Sequence, residues 1–326
     1  NLRLRPHAKM HKSATIAKLQ IEAGAVGICV QKVEEAEALA AGGVHDIFIS
    51  NEVVAPHKLA RLAALAKRIR IAVAVDSELG VQRLAQALQS AGASADCFVE
   101  VDVGQGRCGV APATAGALAL QVAAAGLHFA GLQAYHGTAQ HLRTPAQRGT
   151  AIETAVALAR AAQASVLATG LVCPLVTGAG TGSFEFEAAS GVYGELQCGS
   201  YLFMDRDYAE NQISPGVPRF EHALFVKSQV MSRAASHAVI DAGHKAYAVD
   251  SGLPRVWGRE LECAGCSDEH GVLRARGDAL PELGERIWLV QGRCDATLNL
   301  HHRYVVVRAG LAHGQVEALW RGDARG

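Results

Sequence analysis

The sequence predicts a closed parallel (β/α)8 barrel of the TIM type followed by a smaller β domain. Three observations carry this reading. Through the first two-thirds of the 326 residues, short apolar runs alternate with alanine-rich amphipathic stretches. No Gly-x-Gly-x-x-Gly follows the first apolar run, which disfavours an open dinucleotide-type sheet. Beyond about Arg219 the helical periodicity stops, and the runs become rich in Val, Ile and aromatic residues.

The apolar runs read as strands are Leu2–His7, Val26–Gln31, Asp46–Ser50, Arg70–Val75, Asp96–Val103, His128–His136, Pro174–Thr177 and Glu195–Phe203. Between them, Ser13 can cap a helix over Ser13–Ala23 that sets Ile16 and Leu19 on one face. Pro56 suits a first helical turn, and Leu59, Leu62 and Leu65 repeat through Arg68. Ser77–Ala91, Ala113–Ala125 and Pro145–Gln163 read as helices in the same way, and Ser183–Ser190 as a short one. The expected domains are 1–219, the barrel, and 220–326, the β domain. Strands of the latter are expected at Ala223–Ser232, Ala238–Asp241, Arg286–Val290, Tyr304–Arg308 and Val316–Trp320, with no convincing helix.

Lys+Arg and Asp+Glu both number 31, so the chain carries no net charge that would point to nucleic acid or an anionic membrane surface. No apolar run reads as long enough to span a bilayer, and no secretory signal is present. The eight cysteines lie scattered in apolar stretches, as reduced cytoplasmic thiols do. Cys263-Ala-Gly-Cys266 reads as a plain loop rather than a zinc or redox site. The chain opens without methionine inside an apparent strand, which reads as a fragment or a processed chain.

In such barrels chemistry sits at the C-terminal ends of the strands. Those ends are polar here: His7 and Lys9, Gln31, Ser50-Asn51-Glu52, Asp76, Asp102 to Arg107, Gln133 to Gly137, and Ser200-Tyr201. Lys9 lies among Arg5, His7, His11 and Lys12. A lysine beside other cations loses its proton more easily and can form a Schiff base with an aldehyde. The run Gly178-Ala179-Gly180-Thr181-Gly182-Ser183 follows strand 7 and opens a helix, as anion-binding loops do. On closing the barrel, strand 1 neighbours strands 7 and 8. A lysine facing a phosphate loop fits pyridoxal 5′-phosphate.

The motifs RPHAKMHK, EVDVGQGRCGV, LQAYHG, GAGTGSFEF, ELQCGSYLFMD, VIDAG and DEHG resemble the D-threonine aldolase branch of the fold-type III pyridoxal-phosphate enzymes. Relatives include 3-hydroxyaspartate aldolases and D-serine dehydratases, and alanine racemase shares the fold more distantly. The resemblance covers nearly the whole chain. It implies cleavage of a D-configured β-hydroxy-α-amino acid to glycine and an aldehyde, in a cytoplasmic homodimer. Dehydration, metal-free racemisation and cofactor binding without catalysis are the rival readings.

By the same resemblance Lys9 holds the cofactor, and Arg107 lies near its phenolic oxygen or the substrate. Tyr135 packs around it. Gly180, Thr181, Gly182, Gly199 and Ser200 surround the phosphate, with Tyr201 beside them, and His141 is the base near the substrate hydroxyl. The family also holds a divalent metal (Mn, Mg or Zn) through a histidine and a second ligand two residues on. Asp295 stands at the second position, but Arg293 replaces the histidine. Arginine has no lone pair to give a cation. Cys294, Asp295 and His270 form an alternative ligand set, and a guanidinium mimicking the metal is another possibility.

Overall fold

The computed structural model describes residues 2–311 and 313–324, which divide into two compact units at Gly199/Ser200. Asp323 and Ala324 return to the first unit. The composition change read at 219/220 thus falls some way after this division.

The first unit alternates β1 (Arg3–Leu4), α1 (Ala14–Glu22), β2 (Ile28–Val30), α2 (Val33–Ala41), β3 (Asp46–Glu52), α3 (Pro56–Ala66), β4 (Arg70–Val75) and α4 (Glu78–Ala91). It continues with β5 (Asp96–Glu100), α5 (Ala115–Ala124), β6 (His128–Ala134), α6 (Pro145–Ala168), β7 (Val176–Gly178), α7 (Phe184–Ala189) and β8 (Glu195–Leu196). The strands form one parallel sheet in the order β1-β8-β7-β6-β5-β4-β3-β2. A parallel bridge from His7 to Cys29 joins β1 to β2, supported by Val26 N–H to Leu4 O at 2.9 Å and Cys29 N–H to Pro6 O at 2.8 Å. The sheet therefore closes on itself, as the alternation required.

Closure places side chains from alternate strands in the interior. Phe48 and Phe98 meet there with ring centroids 4.7 Å apart, packed with Cys29, Ala72 and Ala74. The N-terminal rim is charged. Arg70 pairs with Asp96 at 2.8 Å and Asp46 at 3.5 Å, and Arg5 pairs with Glu195 at 3.2 Å and with Asp46. Asp46, Arg70, Asp96 and Glu195 start their strands, so the network ties strand to strand at the end away from the expected chemistry.

Three strand expectations change. The first strand is regular only over Arg3–Leu4, because Pro6 has no N–H to extend the ladder. Arg5 and His7 still donate to Leu196 O and Cys198 O at 2.9 and 3.2 Å. The last strand stops at Leu196, and Ser200–Leu202 is a 3-10 turn rather than strand. The fifth strand ends at Glu100, where the chain turns into a glycine-rich loop. Helix α2 was not expected. Its start is held by Glu35, whose carboxylate accepts the N–H groups of Gln31 and Lys32 at 2.8 and 3.3 Å.

Helix α6 revises the reading on membranes, since its 24 residues are long and apolar enough to cross a bilayer by length and composition. Its apolarity comes from alanine. Ile152, Ala155, Ala159, Ala162 and Val166 form a buried stripe, and α5 approaches so closely that a Cβ on Gly116 would lie 2.2 Å from Ser165 O. It is an outer helix of the barrel.

At the N-terminus of α1, Ser13 makes no side-chain cap. The carboxylate of Asp323 supplies one instead, accepting Ala14 N–H at 2.8 Å, while the N–H groups of Asp323 and Ala324 donate to Lys12 O at 2.7 and 3.2 Å.

The second unit contains α8 (Arg206–Ala209), β9 (Val226–Arg233), β10 (Ala238–Ile240), β11 (Arg255–Val256), β12 (Leu261–Cys266) and β13 (Gly271–Ala275). It continues with β14 (Arg286–Val290), α9 (Cys294–Leu298), β15 (Arg303–Arg308) and β16 (Gln315–Arg321). Six strands form an antiparallel sheet in the order β11-β14-β9-β10-β13-β12, and β15 pairs with β16 separately. Tyr247, Ile240, Leu273 and Leu289 are fully buried in its core. Cys263–Cys266, expected as a loop, lies in β12, where a bulge sets Cys263 opposite Leu273 and Gly265 opposite Val272. All eight cysteines are free thiols. Helix α9 also departs from the expectation of no helix here.

Candidate active site

Lys9 sits in a single 3-10 turn, Ala8–Met10, directly after β1. His7 caps the turn by accepting Lys9 N–H on Nδ1 at 3.2 Å. Its Nε2 faces the Gln31 amide at 2.8 Å and Ser50 Oγ at 3.3 Å. The ends of strands 1, 2 and 3 are thereby fastened to the turn that carries the lysine.

The electrostatics differ from the sequence reading. Burial, then the charges of Lys9, His11 and Arg107, hold the His7 imidazole well below the usual histidine range. Burial takes His11 down to about 4. Both rings are neutral at pH 7. Arg5 is paired with Glu195, and Lys12 with Glu35 at 3.3 Å. The crowd of cations expected around Lys9 is therefore not assembled there. Arg107, whose charge acts on His7, is the cation that remains in that field.

Arg107 is carried by the loop after β5, which Asp102 shapes by accepting Gly104 and Gly106 N–H at 2.9 and 3.0 Å. The guanidinium lies 5.8 Å from the Tyr135 ring centroid and 3.9 Å from Glu100. Glu100 is buried, and burial together with the Glu52 carboxyl raises its pKa to about 9. The Glu100 carboxyl therefore keeps its proton at neutral pH, so Arg107 faces a neutral group there. Glu52, Asp76 and Cys108 bring ligand-type atoms within 4.8 Å of one another beside this pair. Burial, with the neighbouring Glu52 and Glu100 carboxyls, pushes the Cys108 thiol up to about 11.

The loop after β7 is tightly built. Ala179 is buried in the left-handed region at φ 69°, a conformation that costs a non-glycine residue about 1–2 kcal/mol. A Cβ at Gly180 or Gly182 would lie 2.4 Å from Gln140 atoms, and one at Gly199 would lie 2.7 Å from His7 O. Gly182 gives its N–H to Gln140 Oε1 at 2.9 Å. That N–H is thus committed to Gln140 and is not a donor to any anion. Gln140 Nε2 donates to Ser183 Oγ at 2.6 Å and to His136 O at 3.2 Å, and Ser183 Oγ donates to Glu187 at 2.7 Å. His141 ends the 3-10 turn Thr138–His141, so Gln140 clamps the turn bearing His141 to the glycine-rich loop.

Within the first unit, Lys9 and Gly199 thus meet around His7, Arg107 meets Tyr135, and Gly180, Gly182 and the His141 turn meet around Gln140. Thr181 is buried in the same loop. Ser200 and Tyr201 begin the second unit in the turn Ser200–Leu202, where Tyr201 stacks on Phe220 at 5.6 Å. The sequence reading missed Glu100, Gln140 and Glu187. Glu100 stands inside the fifth predicted strand, just before its polar end, and Gln140 just beyond the polar end Gln133 to Gly137, next to His141. Glu187 gave no signal, because an acid in a short amphipathic helix reads as solvated.

Glu187 is 1% exposed, and burial raises its pKa to about 7. Its folded pKa exceeds the unfolded one, so the native state keeps a proton that the unfolded chain releases between about pH 4.5 and 7. Stability falls as pH rises through that window and stays lower above it. Glu187→Gln is expected to level this profile and to gain up to about 3 kcal/mol at pH 8. Urea titrations at pH 5 and pH 8 check it, and an unchanged pH difference would refute the assignment.

In the second unit, Arg293 caps α9, with its carbonyl accepting Thr297 Oγ1–H at 2.8 Å. Burial disfavours the Arg293 charge, but Asp295, then Tyr208, Asp205 and Asp250, outweigh it and raise the guanidinium pKa. Cys294 is fully buried. Burial raises its thiol well above the usual range, its N–H donates to Asp205 at 3.0 Å, and its Sγ accepts from Gln291 at 2.9 Å. Among the described residues Cys294, Asp295 and His270 do not gather as a ligand group, which corrects the alternative set. The residues at 293–295 do not fit a divalent cation.

Residues 3–207 match the family described as alanine racemase, N-terminal domain, and residues 223–307 match a serine dehydratase domain. A D-threonine aldolase of Arthrobacter sp is 48% identical over 99% of this chain and 85% of that protein. A 3-hydroxy-D-aspartate aldolase of Paracoccus denitrificans (strain Pd 1222) is 44% identical over 100% of this chain and 85% of that protein. The crystal structure of D-threonine aldolase from Filomicrobium marinum superposes with a TM-score of 0.96 at 48% identity, covering 100% of this chain and 88% of that one. The chain belongs to the alanine racemase N-terminal domain family of barrel enzymes. Within that family its similarity is to the aldolases just named, and membership implies pyridoxal 5′-phosphate as cofactor.

Proposed function

We propose that this protein is a pyridoxal-phosphate-dependent aldolase that cleaves a D-configured β-hydroxy-α-amino acid, of the D-threonine or 3-hydroxy-D-aspartate kind, to glycine and an aldehyde. The observation that carries this reading is 48% identity to a D-threonine aldolase across 99% of the chain. The glycine-rich loop suits the cofactor, since close packing of Gly180 and Gly182 on Gln140 and of Gly199 on His7 fixes its backbone, as an anion-binding loop requires.

Lys9 is the amine that joins the cofactor aldehyde, held by the His7-capped turn. The cofactor, when bound, supplies an electron sink for the bond that breaks. Gly180, Thr181 and Gly199, with Ser200 and Tyr201, hold the phosphate, and Gly182 anchors the loop to Gln140. Arg107 and Tyr135 orient the ring, with Glu100 setting the position of Arg107. His141 takes the β-hydroxyl proton. The Cα–Cβ bond then breaks, its electron pair stays with Cα, and a proton returned to Cα completes glycine. We also take the chain to work as a homodimer in the cytoplasm on a free amino acid. The dimer rests on the family resemblance and the location on free, scattered cysteines.

Holoprotein given D-threonine is expected to release acetaldehyde and glycine in equal amounts, read by coupled alcohol dehydrogenase and amino-acid analysis. Release of a 2-oxo acid would make the protein a dehydratase, and loss of optical rotation without aldehyde would make it a racemase.

A further inference from the structure

We propose that Arg293 replaces the divalent cation, so that this aldolase works with a protein guanidinium where its family carries a metal. The inference rests on the aldolase reading above. Its observations are local to the second unit. Arg293 is the N-cap of α9, with backbone at φ −144° and ψ 133°, and Thr297 fixes its carbonyl. Gly292 precedes it where a Cβ would lie 2.5 Å from Gly252 O, so the segment cannot shift easily. Arg206 and Asp207 N–H groups hold Gln291 O and Gly292 O at 3.1 and 3.2 Å. The side chain is thus delivered from a rigid backbone.

Asp205 reaches the start of α9 from a separate segment, accepting Cys294 N–H at 3.0 Å, and Asp295 lies in the first turn of the same helix. Acids gathered at a helix start beside residue 293 would suit a cation, and here the chain supplies that cation itself. A divalent ion placed among them would meet the fixed charge of Arg293 and gain no lone pair from it. The nearest thiol offers nothing better, since Cys294 is buried and committed to Gln291. A guanidinium retains what electrostatic catalysis needs. It is permanently charged, and its planar fork of N–H donors suits the oxygens of a hydroxy acid. It does not supply the inner-sphere acidification of a hydroxyl that a metal gives, so the proton must go to a side-chain base.

The test uses the holoenzyme and Mn²⁺ as the probe. The wild-type protein, stripped with EDTA and assayed in metal-free buffer, is expected to keep its aldehyde release within about twofold of the untreated enzyme. Electron paramagnetic resonance titration of wild type with Mn²⁺ is expected to show no bound ion that Asp295→Ala removes. Arg293→His is expected to gain about one bound Mn²⁺ per chain, lost again in Arg293→His/Asp295→Ala.

Loss of wild-type activity on stripping, restored by Mn²⁺, would overturn the proposal. So would a wild-type Mn²⁺ site that disappears with Asp295→Ala. The wild-type measurements decide the matter even if the histidine variant fails to fold. A protein without aldolase activity at all would fail the preceding reading instead, and the Mn²⁺ titration would still show whether Arg293 excludes the ion.

Discussion

Lys9→Ala is expected to abolish the absorbance band near the visible that a protonated Schiff base gives, and to lower aldehyde release by about a thousandfold or more. Lys9 is half-buried in a turn whose first N–H is held by a neutral histidine, so its place depends on His7 rather than on its own contacts alone. Truncation removes the amine and leaves the His7–Gln31–Ser50 cluster intact. Folding should therefore be unaffected, with circular dichroism and melting unchanged. Borohydride reduction of the wild-type holoprotein, followed by peptide mass analysis, should find the pyridoxyl group on Lys9. A reduced adduct on another lysine, or a persistent band in Lys9→Ala, would end the assignment.

Glu195→Ala is expected to cost about 3–5 kcal/mol, the range for breaking a buried ion pair by removing one partner. The Glu195 side chain is 1% exposed and that of Arg5 10%. The same carboxylate accepts the Thr177 hydroxyl at 3.1 Å, joining β7 to β8, and it reaches Arg3 at 3.4 Å. Removing it leaves the Arg5 charge buried where β1 meets β8, beside Asp46 alone. The seam between those two strands is short, so little else compensates. Chemical denaturation measures the loss. Arg5→Met/Glu195→Leu should recover most of it, because an apolar pair of similar volume pays no desolvation. A single-variant loss under about 1 kcal/mol would show the pair to be incidental.

The barrel was legible because its strands recur at a regular spacing and its helices carry clear stripes, as Leu59, Leu62 and Leu65 do in α3. Element ends were less legible. Pro6 shortens β1 because it lacks an N–H, and Gly199, after β8, packs against His7, a partner distant in sequence. Helix α2 escaped notice because its start is held by an acid inside it, Glu35, rather than by a serine or threonine cap. Strands β11 to β13 were overlooked since Gly, Glu and Arg break their apolar pattern.

The site was legible as a set of polar strand ends. Its charge state was not. Counting Arg5, His7, His11 and Lys12 as cations around Lys9 treats each side chain as alone. Glu195 and Glu35, from remote segments, pair with two of them, and burial neutralises the other two. The raised pKa of Glu100 was hidden for a similar reason, since it depends on burial and on Glu52, which stands at the end of another strand of the same rim.

The carboxylate of Asp323 on α1 makes the barrel a discontinuous body, finished by residues that follow the whole second unit. The intervening 200–322 is consequently tethered twice, once on leaving β8 and once on returning to Lys12. A fragment ending at Gly199 would leave the first helix after the turn that carries Lys9 uncapped. Engineering a self-sufficient barrel from this chain thus calls for a graft of the Asp323 segment, and transplanting the second unit between relatives calls for two junctions.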